Sequence, residues 1–191
     1  MTEQEQYNIL RGLIIRCRKG DRLAQEELYK RYYKAMYNTS LRMLNNKIEA
    51  EDVMQESFLT AFLKIHKFRG EMSFGTWLKR IVINKTIDVL RSRKMKFEEL
   101  DEHTDNKVGD EEEGISLADD TTLLVEKIRN GLKNLPEGFR VVLSLALFEG
   151  YDHEEIAMIL GISESTSRSQ LARAKKKLVD YLKQHNNENF R

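Results

Sequence analysis

The stretch from Asp152 to Leu178 leaves the chain little choice of local fold. It reads Asp-His-Glu-Glu-Ile-Ala-Met-Ile-Leu-Gly-Ile-Ser-Glu-Ser-Thr-Ser-Arg-Ser-Gln-Leu-Ala-Arg-Ala-Lys-Lys-Lys-Leu. The pattern predicts a short helix, a turn at Gly161 and a second helix starting after Ser163. Gly161 can take the left-handed conformation that ends a helix. Ser163 suits the N-cap of the next helix, and Glu164 favours that helix's positive end. Ala157 is small enough for two helices to cross closely. Leu171, Ala174, Leu178 and Tyr181 repeat at spacings of three and four, which gives one inward stripe.

This is the plan of a helix-turn-helix, in which the second helix enters the DNA major groove. The opposite face of that helix carries Arg168, Ser169, Ala172, Arg173, Lys175 and Lys176. Arginine can read guanine edges bidentately, serine is an adaptable partner, and lysine mostly neutralises phosphate. A solvated basic helix would show the same charges, so the Ala-x3-Gly-x-Ser spacing carries the inference.

Elsewhere the composition excludes more than it specifies. Of 191 residues, 33% are charged and the formal net charge is only +1, so any nucleic-acid footprint has to be local. Helix formers abound, Pro136 is the only proline, and no long alternating β-branched run occurs. An all-α chain is expected. The single cysteine, Cys17, has no intramolecular disulfide partner, and the four histidines are scattered. No nucleophile–base pair, metal-ligand spacing or glycine-rich phosphate loop is present, which argues against an enzyme and against a cofactor or metal. The amino terminus lacks the features of a signal peptide, and no apolar run reaches membrane-spanning length. A cytoplasmic protein without direct membrane insertion is expected.

Between Lys96 and Asp120 there are eleven acidic residues and two basic ones, with Gly109 and Gly114 and few large apolar groups. Such a segment cannot bury enough surface to offset its ordering entropy. Two helical domains, 5–95 and 122–184, are therefore expected on either side of an acidic flexible linker, 96–121. The linker reads either as a passive tether or as an electrostatic imitation of nucleic acid.

In the first domain, Ile9, Leu10, Leu13 and Ile14 suggest one amphipathic helix. Asp21 suits the cap of a second, running through Leu28, Tyr32, Ala35 and Met36 to Leu44. Asn45-Asn46 marks a turn, and a third helix begins near Glu49. In that helix Met54, Phe58, Ala61 and Ile65 form an inward stripe, and Asp52, Glu56, Thr60 and Lys64 share a polar face. A fourth helix is expected from about Thr76 to Arg93, burying Trp77, Leu78, Ile81, Val82, Ile87 and Leu90. In the second domain, Leu124, Val125, Ile128 and Leu132 make one helix. Pro136 opens another, with Phe139, Val142, Leu143, Ala146 and Leu147 facing inward until Gly150 stops it. The polar tail from about Gln184 is expected to fray.

The fourth helix is a second place of charge asymmetry. Lys79, Arg80, Lys85, Arg91, Arg93, Lys94 and Lys96 oppose only Asp88, and Arg80, Asn84, Asp88 and Arg91 line one face. Phe68, Phe74 and Trp77 lie just before it or at its start. Cations beside rings suit a single-stranded nucleic acid, although rings at helical spacing equally suit a core.

Three segments carry a family likeness. Glu51-Asp-Val-Met-Gln-Glu-Ser-Phe58 with Ala61-Phe62 is similar to an Asp-Val-x-Gln-Glu-x-Phe motif. Phe68-Arg-Gly-Glu-Met-Ser-Phe-Gly-Thr-Trp-Leu-Lys-Arg-Ile-Val-Ile-Asn84 is similar to Phe-Arg-Gly-x-Ser-x-Phe-x-Thr-Trp-Leu-x-Arg-Ile-Ala-x-Asn. Leu135-Pro136-Glu137 precedes the helix-turn-helix. In this order they resemble the extracytoplasmic-function subgroup of bacterial sigma factors. The resemblance implies core RNA polymerase, through its beta-prime clamp helices and beta flap, and promoter DNA as partners. In this subgroup an anti-sigma factor often joins them.

It also implies roles residue by residue. Asp52, Gln55, Glu56 and Phe58 would dock on the clamp helices, Phe58 being either an apolar anchor or simply core. Arg69, Phe74, Trp77, Lys79, Arg80, Asn84 and Arg91 would recognise the minus-10 element and hold a flipped base. Arg168, Ser169, Ala172 and Arg173 would read the minus-35 element, and Ser165, Thr166, Lys175 and Lys176 would hold phosphates. Two positions depart from the family: valine is common where Ser167 stands, and a basic residue where Gln170 stands. Ser167 lies inward, so its hydroxyl needs a partner, for which the carbonyl four residues back is a candidate. Gln170 either reads adenine or faces solvent. The rival to a sigma factor is a stand-alone helix-turn-helix regulator binding duplex DNA as a dimer.

Overall fold

The computed structural model describes residues 2–93 and 120–187. The chain divides into two compact units, Met1–Leu90 and Arg91–Arg191. Among the described residues every regular element is helical. The expected linker, 96–121, lies outside the described residues apart from its last two positions, which already belong to the first helix of the second unit.

In the first unit, α1 (Glu3–Arg18) is opened by a reciprocal Thr2–Glu5 capping box, and α2 (Arg22–Leu44) by the carboxylate of Asp21. Asp21 accepts from the amides of Leu23 and Ala24 and from Arg16 Nε at 2.7 Å. The Arg16 guanidinium and these amides hold its carboxyl below the usual range. The Asn45-Asn46 pair does two jobs. Asn45 takes the left-handed conformation (φ 51°) that ends α2, and Asn46 accepts from the amides of Ile48 and Glu49 to start α3 (Lys47–Leu63). The third helix thus begins two residues before Glu49, because the cap itself is the turn residue. A short 3-10 turn, Ile65–Lys67, follows. Then α4 (Phe74–Ser92) is capped by Ser73, whose hydroxyl accepts from the amide of Thr76 at 3.1 Å.

The core of this unit takes Leu13, Ile14 and Cys17 from α1, Leu28, Met36, Met43 and Leu44 from α2, and Met54, Phe58 and Ala61 from α3. The expected α3 stripe is therefore the buried one. Burial pushes the Cys17 thiol up to about 11, which leaves it an inert apolar filler. Three expectations are corrected. Ile9 is 42% exposed, and the first buried residue described on α1 is Leu13. Ala35 is exposed. On α4 the buried face is Phe74, Leu78, Val82, Ile83, Thr86, Ile87 and Leu90, so Ile83 replaces Ile81 and Trp77 is only half-buried. The helix starts two residues earlier than expected, and Phe74 then sets the rotation of the stripe.

The second unit contains α5 (Asp120–Lys133), α6 (Glu137–Leu143), α7 (His153–Leu160) and α8 (Glu164–Asn187). Gly131 lets α5 meet α8 closely, since a Cβ there would lie 2.5 Å from Leu178 Cδ1 and 2.9 Å from Tyr181 Cδ1. Arg140 is buried and donates to the Leu135 carbonyl at 2.8 Å, and burial brings its guanidinium down to about 10. After Leu143 the helix widens into a π turn, Ser144–Phe148, with Glu149 N bonding the Ser144 carbonyl at 3.2 Å. One extra residue per turn rotates the stripe. Leu145 is buried in consequence and Leu147 is 52% exposed, against the expectation that Leu147 faces inward. Gly150, at φ 77°, ends this segment. At the far end α8 runs to Asn187, beyond the expected fraying point. His185 Nδ1 reaches the Tyr181 carbonyl at 2.9 Å and the two rings stack at 4.0 Å, which holds the last turn.

Candidate nucleic-acid interface

Asp152 and Glu155 cap α7 reciprocally, and Gly161 (φ 72°, ψ 33°) ends it with its amide on the Ala157 carbonyl at 2.8 Å. Ser163 accepts from the amide of Thr166 at 3.1 Å, so the predicted cap is present. Its hydroxyl also bonds those of Ser165 and Thr166, each at 2.8 Å, which gathers three hydroxyls at the amino-terminal end of α8.

Around α8 the residues separate cleanly. Ser167, Gln170, Leu171 and Ala174 are buried; Ser165, Arg168, Ser169, Ala172, Arg173, Lys175 and Lys176 are exposed; Thr166 is half-buried. Positions 167, 170, 171, 174 and 178 follow the i, i+3, i+4, i+7, i+11 spacing of one face. Gln170, 4% exposed, is part of that inward face, so neither a base-reading nor a solvent-facing role fits it. Arg168 is paired with Glu164 at 2.8 Å on the surface. An exposed i,i+4 pair is worth only ~0.3–0.5 kcal/mol, well below the ~1–3 kcal/mol of a bidentate base contact, so the pair yields readily to a better partner. The partner of Ser167 is also corrected: its hydroxyl lies 2.9 Å from His153 Nδ1 on α7, across the turn.

The loop before α4 is built on an aromatic cluster. Ring centroids of Phe68, Phe74 and Trp77 are 5.4–5.7 Å apart. Phe68 and Phe74 are 7% and 1% exposed, whereas Trp77 keeps part of its ring at the surface. Phe74 therefore stands beneath the site and supports Trp77 rather than meeting a ligand. Gly70, at φ 81°, turns the chain where a side chain would be strained. The result is a cleft of about 90 Å³ lined by Lys67, Phe68, Arg69, Gly70, Glu71, Met72 and Trp77. Arg18 of α1 donates to the Phe68 carbonyl at the root of this loop. Arg69, Arg80, Asn84 and Arg91 are exposed and Lys79 half-buried, so the cations and Asn84 continue along α4 from the cleft.

On α3, Asp52, Gln55 and Glu56 are exposed, and Phe58 is 2% exposed with its ring against Tyr29 (4.8 Å) and Phe62 (5.9 Å). Of the two readings of Phe58, core packing is the one its position allows. At about 100° per residue it sits about 120° round the helix from Asp52. The exposed apolar groups are Ile48 (74%), Leu59 (64%) and Leu63 (78%). By the same rotation they share the sector of Asp52, Gln55 and Glu56, within about 100°. Once Phe58 is placed inward, Leu59 must point outward with Leu63 one turn later. The spacing of Leu59 and Leu63 carries that signal in the sequence.

Comparison with known proteins identifies both modules. Residues 28–95 match the Sigma-70 region 2 model, and residues 126–178 match the Sigma-70, region 4 model. The two units thus carry sigma-70 modules in order, which places the chain in the sigma-70 class. Relatives narrow this. The ECF RNA polymerase sigma factor SigW of Bacillus subtilis is 30% identical over 92% of this chain and 97% of its own length. The ECF RNA polymerase sigma factor SigE of Mycolicibacterium smegmatis is 31% identical over 88% of this chain, which spans about two thirds (66%) of that longer protein. The chain belongs to the extracytoplasmic-function RNA polymerase sigma factors. Its function is that of a promoter-specific initiation factor, not of a stand-alone regulator. In fold it is similar to the sigma factor RpoE of Bartonella quintana, solved in complex with the anti-sigma factor NepR. That likeness has a TM-score of 0.56 at 22% identity and covers 83% of this chain and 96% of that one. Among the described residues no helix is long and apolar enough to cross a membrane.

Proposed function

We propose that three surfaces divide the work of initiation. The outward face of α3, with Asp52, Gln55 and Glu56 around Leu59 and Leu63, docks on the polymerase clamp helices. Carboxylates and an amide around exposed apolar anchors suit a basic, partly apolar partner helix. Phe58 contributes by holding α3 in place.

The Arg69–Trp77 cleft takes a base from the opening minus-10 duplex. Arg69, Lys79, Arg80 and Arg91 hold the backbone of the separated strand, Asn84 offers an amide, and Trp77 offers a stacking surface. Unpairing and flipping a base costs a few kcal/mol. Because the cleft accepts only an extruded base, binding shifts the duplex toward the open state and needs no covalent chemistry.

The exposed face of α8 reads the minus-35 element. Arg168, Ser169, Ala172 and Arg173 face base edges, while Ser165, Thr166, Lys175 and Lys176 hold phosphates. The factor acts in the cytoplasm, and an anti-sigma factor is a natural partner, as for the Bartonella quintana relative. The observation that carries this reading is the division of α8 into a buried face of Ser167, Gln170, Leu171 and Ala174 and an exposed face of Arg168, Ser169, Ala172 and Arg173.

Run-off transcription tests it. With core polymerase and a promoter library, the chain should yield defined transcripts sharing two upstream elements. Duplex binding without polymerase and no transcripts would overturn the reading.

A further inference from the structure

Ser167 has no exposed surface and immediately precedes Arg168. Apolar contacts set the rotation of a helix only coarsely, because burial is non-directional. A hydrogen bond tolerates only a narrow range of distance and angle. The bond between His153 Nδ1 and Ser167 Oγ, at 2.9 Å, is of that directional kind.

Both ends of this link are anchored. His153 is the first residue of α7, directly after Asp152, whose capping box with Glu155 closes at 2.8 and 3.1 Å. Ser167 N donates to the Ser163 carbonyl at 3.0 Å in the first turn of α8, which Ser163 also caps. The link therefore joins two capped helix starts. Arg168, about 100° further round the helix, inherits whatever rotation that link sets.

We propose that His153 is a positioning residue for promoter recognition. Through Ser167 it sets the rotation at which α8 presents Arg168 and Ser169 to the bases. This rests on the reading of α8 as the base-contacting helix. Valine, the common residue of the family at position 167, would offer packing without this directional bond.

The chemistry makes the proposal selective. The contacting atom is Nδ1, the ring nitrogen nearer the backbone. An asparagine amide reaches that position, whereas a glutamine amide reaches the position of Nε2. The test is transcription by the full-length chain with core polymerase on a library randomised at the upstream element, with thermal melting of each variant recorded alongside. His153→Leu, His153→Gln and Ser167→Ala should lower discrimination at the bases nearest Arg168 by about tenfold, the scale of one well-placed bidentate contact. His153→Asn should keep it. The double variant His153→Leu/Ser167→Ala should be no worse than either single change, because both remove one interaction.

Unchanged discrimination in His153→Leu, additive losses in the double variant, or a uniform drop on every promoter that tracks melting temperature would each overturn the proposal. Arg168→Ala in the same library separates the premises. If it leaves discrimination untouched, the reading of α8 itself fails. If it relaxes discrimination and the His153 variants do not, only the positioning role fails.

Discussion

Lys85 Nζ on α4 lies 3.0 Å from Glu56 Oε2 on α3. The pair ties the helix proposed to meet polymerase to the helix proposed to meet DNA. The lysine side chain is 29% exposed and the glutamate 66%. A pair this wet contributes only ~0.2–1 kcal/mol to stability. Glu56→Gln should therefore leave the melting temperature nearly unchanged while weakening association with core polymerase. Calorimetry and a binding titration on one preparation check this. A large fall in melting temperature with unchanged polymerase binding would assign Glu56 a structural role only.

Phe58 and its neighbour Leu59 should behave as opposites. Phe58 is buried among aromatic rings, and truncation to alanine should cost about 3–5 kcal/mol of stability. Leu59→Ala and Leu63→Ala remove exposed side chains and should leave unfolding within about 0.5 kcal/mol of the parent. Both should weaken polymerase binding. Denaturant unfolding paired with the titration distinguishes the two classes, and unaffected binding in the leucine variants would move the docking face elsewhere.

The cleft beside Trp77 should act at strand separation rather than at recruitment. Trp77→Ala removes the exposed ring edge, and a lost base–aromatic stack is worth about 1–3 kcal/mol. Permanganate reactivity of unpaired thymines in the minus-10 region should fall, while protection of the minus-35 region persists. Loss of both together would indicate that Trp77 serves the fold of this unit and not the melted strand.

Arg168 and Lys176 should separate by their salt response. Arg168→Ala should cost about 1–3 kcal/mol at one base position and relax selectivity there. Lys176→Ala should weaken all promoters alike and reduce the salt slope by about one. Promoter variants titrated at several salt concentrations give both quantities. Identical behaviour of the two variants would erase the division into readers and positioners.

How far the sequence disclosed these features depended on whether a local rule was complete. Asp21, the Asn45-Asn46 pair, Gly161 and Ser163 stop or start helices through their own backbone and side-chain chemistry, so their neighbours could be placed in advance. The inward set of Met54, Phe58, Ala61 and Ile65 followed from spacing alone. Leu147 was misplaced because a π turn changes the period, and nothing in Ser144–Phe148 announces it. Gln170 departs from expectation because a polar side chain on an inward face violates binary patterning. Its position in the i, i+3, i+4 series was nevertheless the better guide. The His153–Ser167 bond and the Arg18–Phe68 contact join residues 14 and 50 apart, and such pairings appear only when helices pack. Gly131 looked like an ordinary helical glycine until the side chains of α8 came to lie against it.

The central claim is that two helical DNA-binding modules act on a promoter only when carried by RNA polymerase. The most direct measurement titrates the fluorescently labelled full-length chain with purified bacterial core polymerase, then adds promoter duplex to the mixture and, separately, to the free chain. The account predicts saturable, stoichiometric association with core polymerase and sequence-selective promoter binding by the assembled enzyme alone. Failure to associate with core polymerase, or equally selective duplex binding by the free chain, would contradict it.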